Sequence, residues 1–253
     1  MRISSIVIAK NEEQNIGRCI ESQLDCFDDI HIFVDESSTD KTFDVASAYK
    51  NVNIHKVIWK GYSETKREAL LSTENDWVFW IDADEAVTAG LAGEIVEFKN
   101  SSPEFDAYSV PRKAFFLGKW IRHCGWYPDR VTRLFNKSKV KFSDNRVHEH
   151  LIYEGGTGLL VNDLEHFTDP DIEHYFKKFN SYTSLAAKEL HKSGRKSQIS
   201  DILLRPAFIF FKMFLLKRGF LDGLHGFILS IFSSLYVFTK YCKLWELNNT
   251  DKK

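Results

Sequence analysis

The chain has 253 residues, of which 43% are hydrophobic and 27% charged, and this composition suits one α/β domain with an appendage and a buried core. Its formal net charge is −1 at pH 7, so no overall positive field indicates binding to nucleic acid. The four cysteines are scattered without a Cys-x-x-Cys pair, and we expect free thiols in a reducing compartment. The N-terminal run lacks the pattern of a signal peptide, so we expect a cytoplasmic protein.

Short apolar runs alternate with amphipathic segments over the first 85 residues. The apolar runs predict strands at residues 3–9, 30–35, 52–57 and 77–82. The segments between them predict helices at residues 11–24, 38–49 and 64–72. Strands and helices that alternate at this spacing predict an α/β fold with a doubly wound, mainly parallel sheet.

After about residue 100 this alternation fades. Residues 105–166 contain short strand-like runs and aromatic loops, and from residue 169 the pattern is helical to the end. We therefore divide the chain into an α/β domain at residues 1–168 and a C-terminal helical region at residues 169–253.

Polar side chains follow the ends of three predicted strands, namely Asn11, Asp35 and Asp82. In doubly wound sheets, ligands bind beyond the carboxyl ends of the strands. Asp82 and Asp84 are the most informative pair, because alternate residues of an extended segment point the same way and can share one cation. Ligands that are all oxygen select Mg²⁺ or Mn²⁺. The alternative is a chance Asp-x-Asp triplet whose acids cap a helix.

Several runs, in consistent order, resemble glycosyltransferase family 2: SIVIAKNEE at residues 5–13, VDESSTDKT at 34–42 and DADE at 82–85. Later runs resemble its branch of β-glucosyltransferases in lipopolysaccharide core biosynthesis: GWYPD at 125–129, RLF at 133–135, VHE at 147–149, RP at 205–206 and KRGFLDG at 217–223. The resemblance implies the GT-A fold and an inverting transfer of a hexose, with UDP-glucose as donor and a lipopolysaccharide inner-core sugar as acceptor.

The resemblance also implies a pocket for the nucleotide sugar, with Asp35 at the base or ribose. The expected members of this pocket are Ala9, Asn11, Asp35, Lys66 and Asp82. Lys66 takes the place of a basic residue that faces the nucleotide, although a solvated helix charge is the equal alternative. The family usually has glycine where this chain has Ser37.

Inversion requires a base that takes the proton of the acceptor hydroxyl. Asp129 lies next to Trp126 and Tyr127, whose rings suit stacking on the faces of acceptor sugars. Glu149 takes the position of the family's base loop. We expect one of these two carboxylates to be the base. Glu85 is the third candidate, and we expect it instead to support the metal pair. Each could instead make only a structural ion pair or hydrogen bond.

A third metal ligand is expected from His148 or His166, because GT-A enzymes often recruit a histidine late in the sequence. Either histidine could instead be structural. Arg133 could bind phosphate through two hydrogen bonds, or could be a charge at the edge of a strand.

Residues 205–244 are rich in aromatic and basic side chains. The longest stretch there without an acidic or basic residue, 223–239, is shorter than the roughly 20 residues of a spanning helix. We therefore expect two interfacial helices whose basic side chains meet anionic lipid. Those basic residues are Lys212, Lys217, Arg218, Lys240 and Lys243. The alternative is a helical pair that only packs on the rest of the protein.

The expected partners are a UDP-sugar donor, a lipid-anchored glycan acceptor and the inner-membrane surface, and the expected location is peripheral on its cytoplasmic face. Other functions stay open: transfer to another lipid-linked glycan or a capsule precursor, or non-catalytic binding of a nucleotide or glycan. A nucleotidyltransferase is disfavoured, because it would be expected to have a glycine-rich phosphate loop after its first strand. This chain has Ala9-Lys10-Asn11 there.

Overall fold

The structure is a computed structural model that describes residues 1–60, 62–142 and 151–250. The chain forms two compact units. The first unit contains Met1–Arg112 and Arg130–His166, and the second contains Lys113–Asp129 and Phe167–Lys253. The domain boundary after residue 168 stays a prediction, and the structure groups residues 113–129 with the C-terminal helices.

The strands of the described residues are β1 (Ile3–Ala9), β2 (Asp29–Asp35), β3 (Asn53–Val57), β4 (Trp77–Asp82), β5 (Glu85–Val87), β6 (Ala107–Phe116), β7 (Lys119–Trp120), β8 (Asp129–Asn136), β9 (Lys141–Phe142), β10 (Leu151–Ile152), β11 (Gly158–Leu159) and β12 (Leu164–Asp169). The helices are α1 (Ile16–Glu21), α2 (Thr42–Ser47), α3 (Tyr62–Leu71), α4 (Ala89–Lys99), α5 (Ile172–Lys192), α6 (Ile199–Phe211) and α7 (Leu224–Thr250). A π-helical turn (Lys212–Leu216) and a 3-10 turn (Gly219–Asp222) lie between α6 and α7.

The main sheet has the strand order β3-β2-β1-β4-β8-β6-β12-β5. The first four strands are parallel, with Ile6 of β1 opposite His31 on one side and Trp80 on the other. β8 then pairs antiparallel with β4, and β12 pairs antiparallel with β5. The predicted α/β fold of GT-A type is confirmed, and its four parallel strands continue into a mixed part of the sheet.

Both faces of the parallel half are covered, which explains its continuous apolar runs. Alternate residues point to opposite faces of a strand. On β1, Ile3 and Val7 therefore enter one core cluster and Ile6 enters another. On β4, Phe79 and Ile81 enter the first cluster, while Val78 and Trp80 enter the second.

The first two helices are shorter than predicted, because the residues before each helix form hydrogen bonds between loops. Asn11 has a left-handed backbone (φ 55°), and its side-chain oxygen accepts the Thr39 N–H at 2.8 Å. The Glu13 N–H donates to Asp40, whose other oxygen accepts from Thr42. These contacts stabilise the loops outside helical geometry, and α1 and α2 begin only after them.

The second unit contains the C-terminal helices, as the helical pattern after residue 169 predicts. Among the described residues, one helix, α7, has the length and apolar composition of a membrane span. α7 is longer than the charge-free stretch 223–239 because it continues past Lys240 and Lys243. One expectation is corrected here: the ammonium group of Lys243 donates to Asn180, Thr183 and Ser184 on α5, so it is engaged within the protein rather than directed at lipid.

Candidate active site

The strands β1, β2 and β4 end at one edge of the sheet. Ala9 pairs with Val34, and Ile8 pairs with Asp82, so the parallel register brings the last residues of the three strands to the same level. Ala9 itself is buried in the core, which leaves its backbone at this edge. The predicted meeting of polar residues at one sheet edge is therefore present in the first unit.

Asp35 ends β2, and the groups around its side chain stabilise it as a carboxylate. Its side chain is buried, one carboxylate oxygen accepts both the N–H and the hydroxyl of Ser37 at 2.9 Å, and the other lies 2.9 Å from the Lys10 ammonium. Burial alone would raise the pKa of Asp35, but the Ser37 N–H and Lys10 lower it below its ordinary value. The serine that replaces the family's glycine thus adds a hydrogen bond to this carboxylate.

Asp82 ends β4 and is held by Arg133 of β8. One Arg133 nitrogen donates both to a carboxylate oxygen of Asp82 and, at 2.6 Å, to Glu85. The other oxygen of Glu85 accepts the Asp82 N–H at 3.0 Å, and Arg112 of β6 lies 3.5 Å from Glu85. Arg133 is therefore not a charge at a strand edge, because it neutralises two carboxylates in the interior of the site.

Burial raises the pKa of Glu85 above its ordinary value, and Arg133 opposes this rise. Burial would also raise the pKa of Asp82, but the charges of Arg133 and then Lys66 outweigh it and lower the pKa of Asp82 to about 2. Asp82 is thus ionised at every physiological pH. Its side chain is 43% exposed, whereas Glu85 is fully covered.

Asp84 and His166 face each other, with 3.4 Å between the carboxylate Oδ2 and the imidazole Nε2. His166 reaches this position because β12 pairs with β5, which places it opposite Glu85. Both side chains are mostly covered, at 16% and 17% exposed.

The donor set of this pair fits a divalent cation. Two ligands bound to one ion at about 2.1 Å on adjacent octahedral positions lie about 3 Å apart, and Asp84 and His166 lie close to that separation. The imidazole nitrogen favours a transition ion such as Mn²⁺ over Mg²⁺, which binds oxygen. Among residues 1–60, 62–142 and 151–250, no group of three His, Cys, Asp or Glu side chains meets the geometry of a complete metal site.

Lys66 of α3 lies over the Trp80 ring, with its ammonium group 3.7 Å from the ring centre. Its charge also helps to lower the pKa of Asp82. Lys66 therefore lies at the sheet edge that carries Asp35 and Asp82, here called the carboxylate edge, rather than on a remote solvated face. Cys19 of α1 lies there too, donating to the Asp82 carbonyl at 3.6 Å, and burial first, then Glu85, raises the pKa of its thiol well above the ordinary value.

The predicted acceptor residues belong to the second unit. The Trp126 ring meets Phe116 edge to face, with ring centres 6.1 Å apart, and the Tyr127 ring meets Trp120 in the same way at 5.2 Å. Asp129 is the first residue of β8. The roles of these three residues in acceptor binding and proton transfer stay predictions.

Two other predicted site residues, His148 and Glu149, lie outside the described residues, as does the rest of the VHE run. Their roles as metal ligand and base stay predictions.

Four contributing residues were not proposed from the sequence: Lys10, Cys19, Arg112 and Ser37 as a hydrogen-bond donor to Asp35. Lys10 could have been found, because it directly follows the predicted β1. Arg112 has a weaker signal, because it stands beside Lys113 in the middle of β6, whose other residues are mostly apolar. Its partner Glu85, 27 positions earlier, is predicted as a support for the metal pair, but nothing in the local pattern joins it to Arg112.

Comparison with known proteins gives a consistent assignment. The family described as Glycosyl transferase family 2 matches residues 4–152. The lipopolysaccharide core biosynthesis glycosyltransferase LpsC of Rhizobium meliloti (strain 1021) is 28% identical, over 96% of this chain and 92% of LpsC. An uncharacterized glycosyltransferase of Rickettsia typhi is 31% identical, over 98% of this chain and 88% of its own length. The crystal structure of S. aureus TarS 1–349 in complex with UDP has a TM-score of 0.44 at 14% identity, covering 100% of this chain and 92% of that one.

Proposed function

Because the chain belongs to glycosyltransferase family 2, we propose that it transfers a hexose, glucose from UDP-glucose, onto an inner-core sugar of lipopolysaccharide with inversion at the anomeric carbon. Membership of the family makes the protein a glycosyltransferase. Support for the acceptor comes from LpsC, which is similar along nearly the whole of both chains and is named for lipopolysaccharide core biosynthesis. The donor sugar is taken from the resemblance of the sequence motifs.

The observation that carries the proposal is the carboxylate edge of the first unit. It combines an ionised Asp82 fixed by Arg133, an Asp84–His166 pair with the spacing of two metal ligands, and a buried anionic Asp35 at the neighbouring strand end. A diphosphate with a sugar on one side and a nucleoside on the other needs these three kinds of contact.

In this proposal Asp84 and His166 would hold Mn²⁺ or Mg²⁺, with Asp82 beside them. When bound, the cation supplies positive charge that offsets the diphosphate as it leaves. Arg133 holds the Asp82 carboxylate, and Glu85 fixes Arg133 and the main-chain N–H of Asp82. Lys66 adds a compact positive charge that acts on Asp82.

Asp35 is proposed to accept hydrogen bonds from the nucleoside. Its lowered pKa keeps it an acceptor at neutral pH, and Lys10 and Ser37 orient it. The hydrogen-bonded loop at Asn11 closes the same region of the sheet edge.

The reaction needs one base and no nucleophilic side chain. The acceptor hydroxyl oxygen forms a bond to the anomeric carbon, its proton passes to a carboxylate, and the electron pair of the broken bond leaves with the diphosphate. Asp129 and Glu149 are the two candidates for that carboxylate. Trp126 and Tyr127 are proposed to stack on the acceptor sugar.

We further propose that the protein is cytoplasmic and binds peripherally to the inner face of the membrane through α6, α7 and the turns between them, here called the C-terminal hairpin. Large apolar side chains on it are 41–76% exposed. On α7 they follow one helical face, at Leu224, Phe227, Leu235, Phe238 and Trp245. On α6 they are Ile199, Leu203, Leu204, Phe208 and Phe211, which cover about half of the helix circumference.

The charges of the hairpin match an anionic surface. The acidic residues of the hairpin are Asp201 and Asp222, which are buried, and Glu246, which is exposed near the end of α7. Lys212, Lys217 and Arg218, in and beside the turns, are exposed. Apolar side chains flanked by exposed cations are the pattern of a segment that lies in the headgroup region of anionic lipid.

The packing of α7 favours this in-plane position over a membrane span. One side of α7 meets α5 through Tyr236 and Phe179, whose ring centres lie 5.9 Å apart. Another side meets α6, where the Ser234 hydroxyl donates to the Pro206 carbonyl at 2.9 Å. A spanning α7 would take the charged residues of α5 into hydrocarbon, at high cost.

The experiment for the function is a donor-by-acceptor activity screen with the purified full chain. UDP-glucose, UDP-galactose and UDP-N-acetylhexosamines are each offered to defined core oligosaccharides and to capsule precursors. We expect transfer from UDP-glucose to an inner-core oligosaccharide. Transfer only to another glycan would replace the acceptor, and UDP-sugar binding with no transfer to any acceptor would indicate a non-catalytic binding module.

A second experiment addresses the membrane. Flotation with vesicles that contain anionic lipid should carry the wild-type chain, and Lys217→Glu with Arg218→Glu should abolish flotation. Recovery of this double variant with the vesicles at the wild-type level would contradict the membrane proposal.

A further inference from the structure

A buried carboxylate in the C-terminal hairpin contacts the aromatic loop, defined here as residues 119–129. Asp222 is 3% exposed. Its carboxylate accepts the N–H of His123 at 2.8 Å and the N–H of Arg122 at 3.3 Å, and lies 3.2 Å from the His123 imidazole. Its backbone carbonyl accepts from the Lys119 ammonium at 2.8 Å.

The next residues of the aromatic loop are held by the same part of the hairpin. The Cys124 N–H donates to the Lys217 carbonyl at 3.0 Å, and Trp126 packs in a cluster that includes Met213 and Leu229. Cys124 has a left-handed backbone (φ 61°), so the loop is bent sharply where it meets the hairpin. The segment that precedes Tyr127 and Asp129 is therefore fixed by main-chain contacts.

Two glycines of the hairpin allow its turns and the aromatic loop to approach each other closely. A Cβ on Gly226 would lie 1.9 Å from the Gly219 carbonyl oxygen, and a Cβ on Gly219 would lie 2.6 Å from the Cys124 sulfur. Any larger residue would push the turns of the hairpin apart or displace the loop from them.

An ionised carboxylate is costly to bury unless hydrogen bonds satisfy it. The Asp222 carboxylate accepts hydrogen bonds from two consecutive main-chain N–H groups of the loop. Charge-assisted contacts of this kind fix the path of the backbone. Residues around Asp222 face outward: Leu216, Phe220 and Leu221 are 48–61% exposed, next to Lys217. One short segment thus contacts the aromatic loop on one side and is apolar and basic on the other.

We propose that Asp222 is a positioning residue for the acceptor: it holds the aromatic loop in the path that presents Trp126, Tyr127 and Asp129 to an acceptor sugar. Through Asp222 the loop is fixed to the part of the hairpin that would meet lipid, so a lipid-anchored acceptor and its binding loop share one support. The inference rests on the proposed function and deepens it.

The test compares Asp222→Asn with Asp201→Asn in the full chain. Asp201 is a matched control, because it is also 3% exposed and in the second unit, but it caps α6 and pairs with Arg205 at 2.5 Å. Both variants lose one buried charge. Each is assayed with UDP-glucose and a delipidated core oligosaccharide, so that membrane binding plays no part.

We expect Asp222→Asn to lower kcat/KM for the acceptor about 10- to 100-fold, as expected when a reacting group is displaced. The KM for UDP-glucose should change far less, and the ratio of transfer to hydrolysis of UDP-glucose by water should fall. Asp201→Asn should lower the melting temperature without a selective loss in acceptor kcat/KM or in the ratio of transfer to hydrolysis. If Asp222→Asn does not fold, His123→Ala replaces it, with a smaller loss in the same parameter.

Two outcomes would overturn the inference, and they are distinguishable. If the wild-type chain transfers glucose but Asp222→Asn or its replacement matches Asp201→Asn in acceptor kcat/KM, Asp222 is only structural. If the wild-type chain transfers no sugar to any acceptor, the proposed function fails and the inference fails with it.

Discussion

Replacement of Arg133 by methionine should destabilise the first unit strongly, because Arg133 donates to both Asp82 and Glu85, whereas Arg112 lies 3.5 Å from Glu85 alone. Methionine keeps an unbranched apolar stem without the charge. The variant leaves Glu85, whose side chain is fully covered, without the donor at 2.6 Å. Removal of one partner from a buried ion pair costs about 3–5 kcal/mol.

The share of Asp82 in this loss is smaller. A fall in its pKa from 3.8 to about 2 corresponds to at most about 2.4 kcal/mol. Its side chain is 43% exposed, and solvent screening reduces this to about 1 kcal/mol. Glu85→Gln in the same chain should therefore recover most of the loss, so that the double variant is about 1–2 kcal/mol less stable than wild type.

The assay is urea unfolding at pH 7, followed by tryptophan fluorescence, since Trp77 and Trp80 lie in β4. Arg130→Met is the control, because Arg130 is exposed and donates one hydrogen bond to the Leu160 carbonyl, worth about 1 kcal/mol. A loss below about 1 kcal/mol in Arg133→Met, or an equal loss with and without Glu85→Gln, would refute the reasoning.

The pH dependence of the same variant has a defined sign. A carboxylate with a lowered pKa in the folded state contributes stability above its unfolded pKa, and this contribution is lost as pH falls through the folded pKa. In wild type, the contribution of Asp82 should therefore disappear between about pH 4 and pH 2. Arg133→Met should lack that loss, so the stabilities of the two proteins should converge as the pH falls.

Three further predictions concern the site. His166→Gln should weaken Mn²⁺ binding in the presence of UDP about 10- to 100-fold, measured by electron paramagnetic resonance, and unchanged affinity would remove His166 from the metal site. Asp35→Asn should raise the KM for the donor about tenfold with little change in kcat, the pattern of lost ground-state binding; a large fall in kcat alone would contradict that role. Of Asp129→Asn and Glu149→Gln, the variant that lacks the base should lose about 10²- to 10⁴-fold in kcat, and near-normal rates in both would exclude both residues.

Much of the parallel half could be predicted, because its signals are local. β1 and β4 were predicted with the bounds that the structure has, since each is an apolar run closed by polar residues. The position of Asp82 at the end of β4 followed from its run, and that of Asp35 at the end of β2 followed from the apolar run at residues 30–35. Parallel register then makes a shared edge unavoidable.

Some elements were missed although a local signal exists. α4 follows Thr88, whose hydroxyl accepts the Leu91 N–H at 3.2 Å, and it buries Leu91, Ile95 and Phe98 at helical spacing. A threonine cap before such a pattern is a readable helix start. The short β5 has no such signal, because three residues are too few to show a period.

The contacts that build the site could not be predicted from local pattern. Arg133 joins Asp82 across about 50 positions in the chain, and His166 joins Asp84 across about 80, because antiparallel strands are added to the sheet after the parallel half. The same holds for Asp222, which reads as an isolated acid in an apolar tail until the fold brings it to His123. Such pairs depend on strand order and helix packing, which a single sequence does not state.

The central claim, that the corner at Asp84 holds a divalent cation together with a nucleotide, is tested most directly by Mn²⁺ titration with and without UDP, in wild type and Asp84→Asn. Wild type should bind about one Mn²⁺ per chain, more tightly with UDP, and Asp84→Asn should lose this site while it keeps the wild-type melting temperature within a few degrees. Equal Mn²⁺ binding by the two proteins would contradict the account.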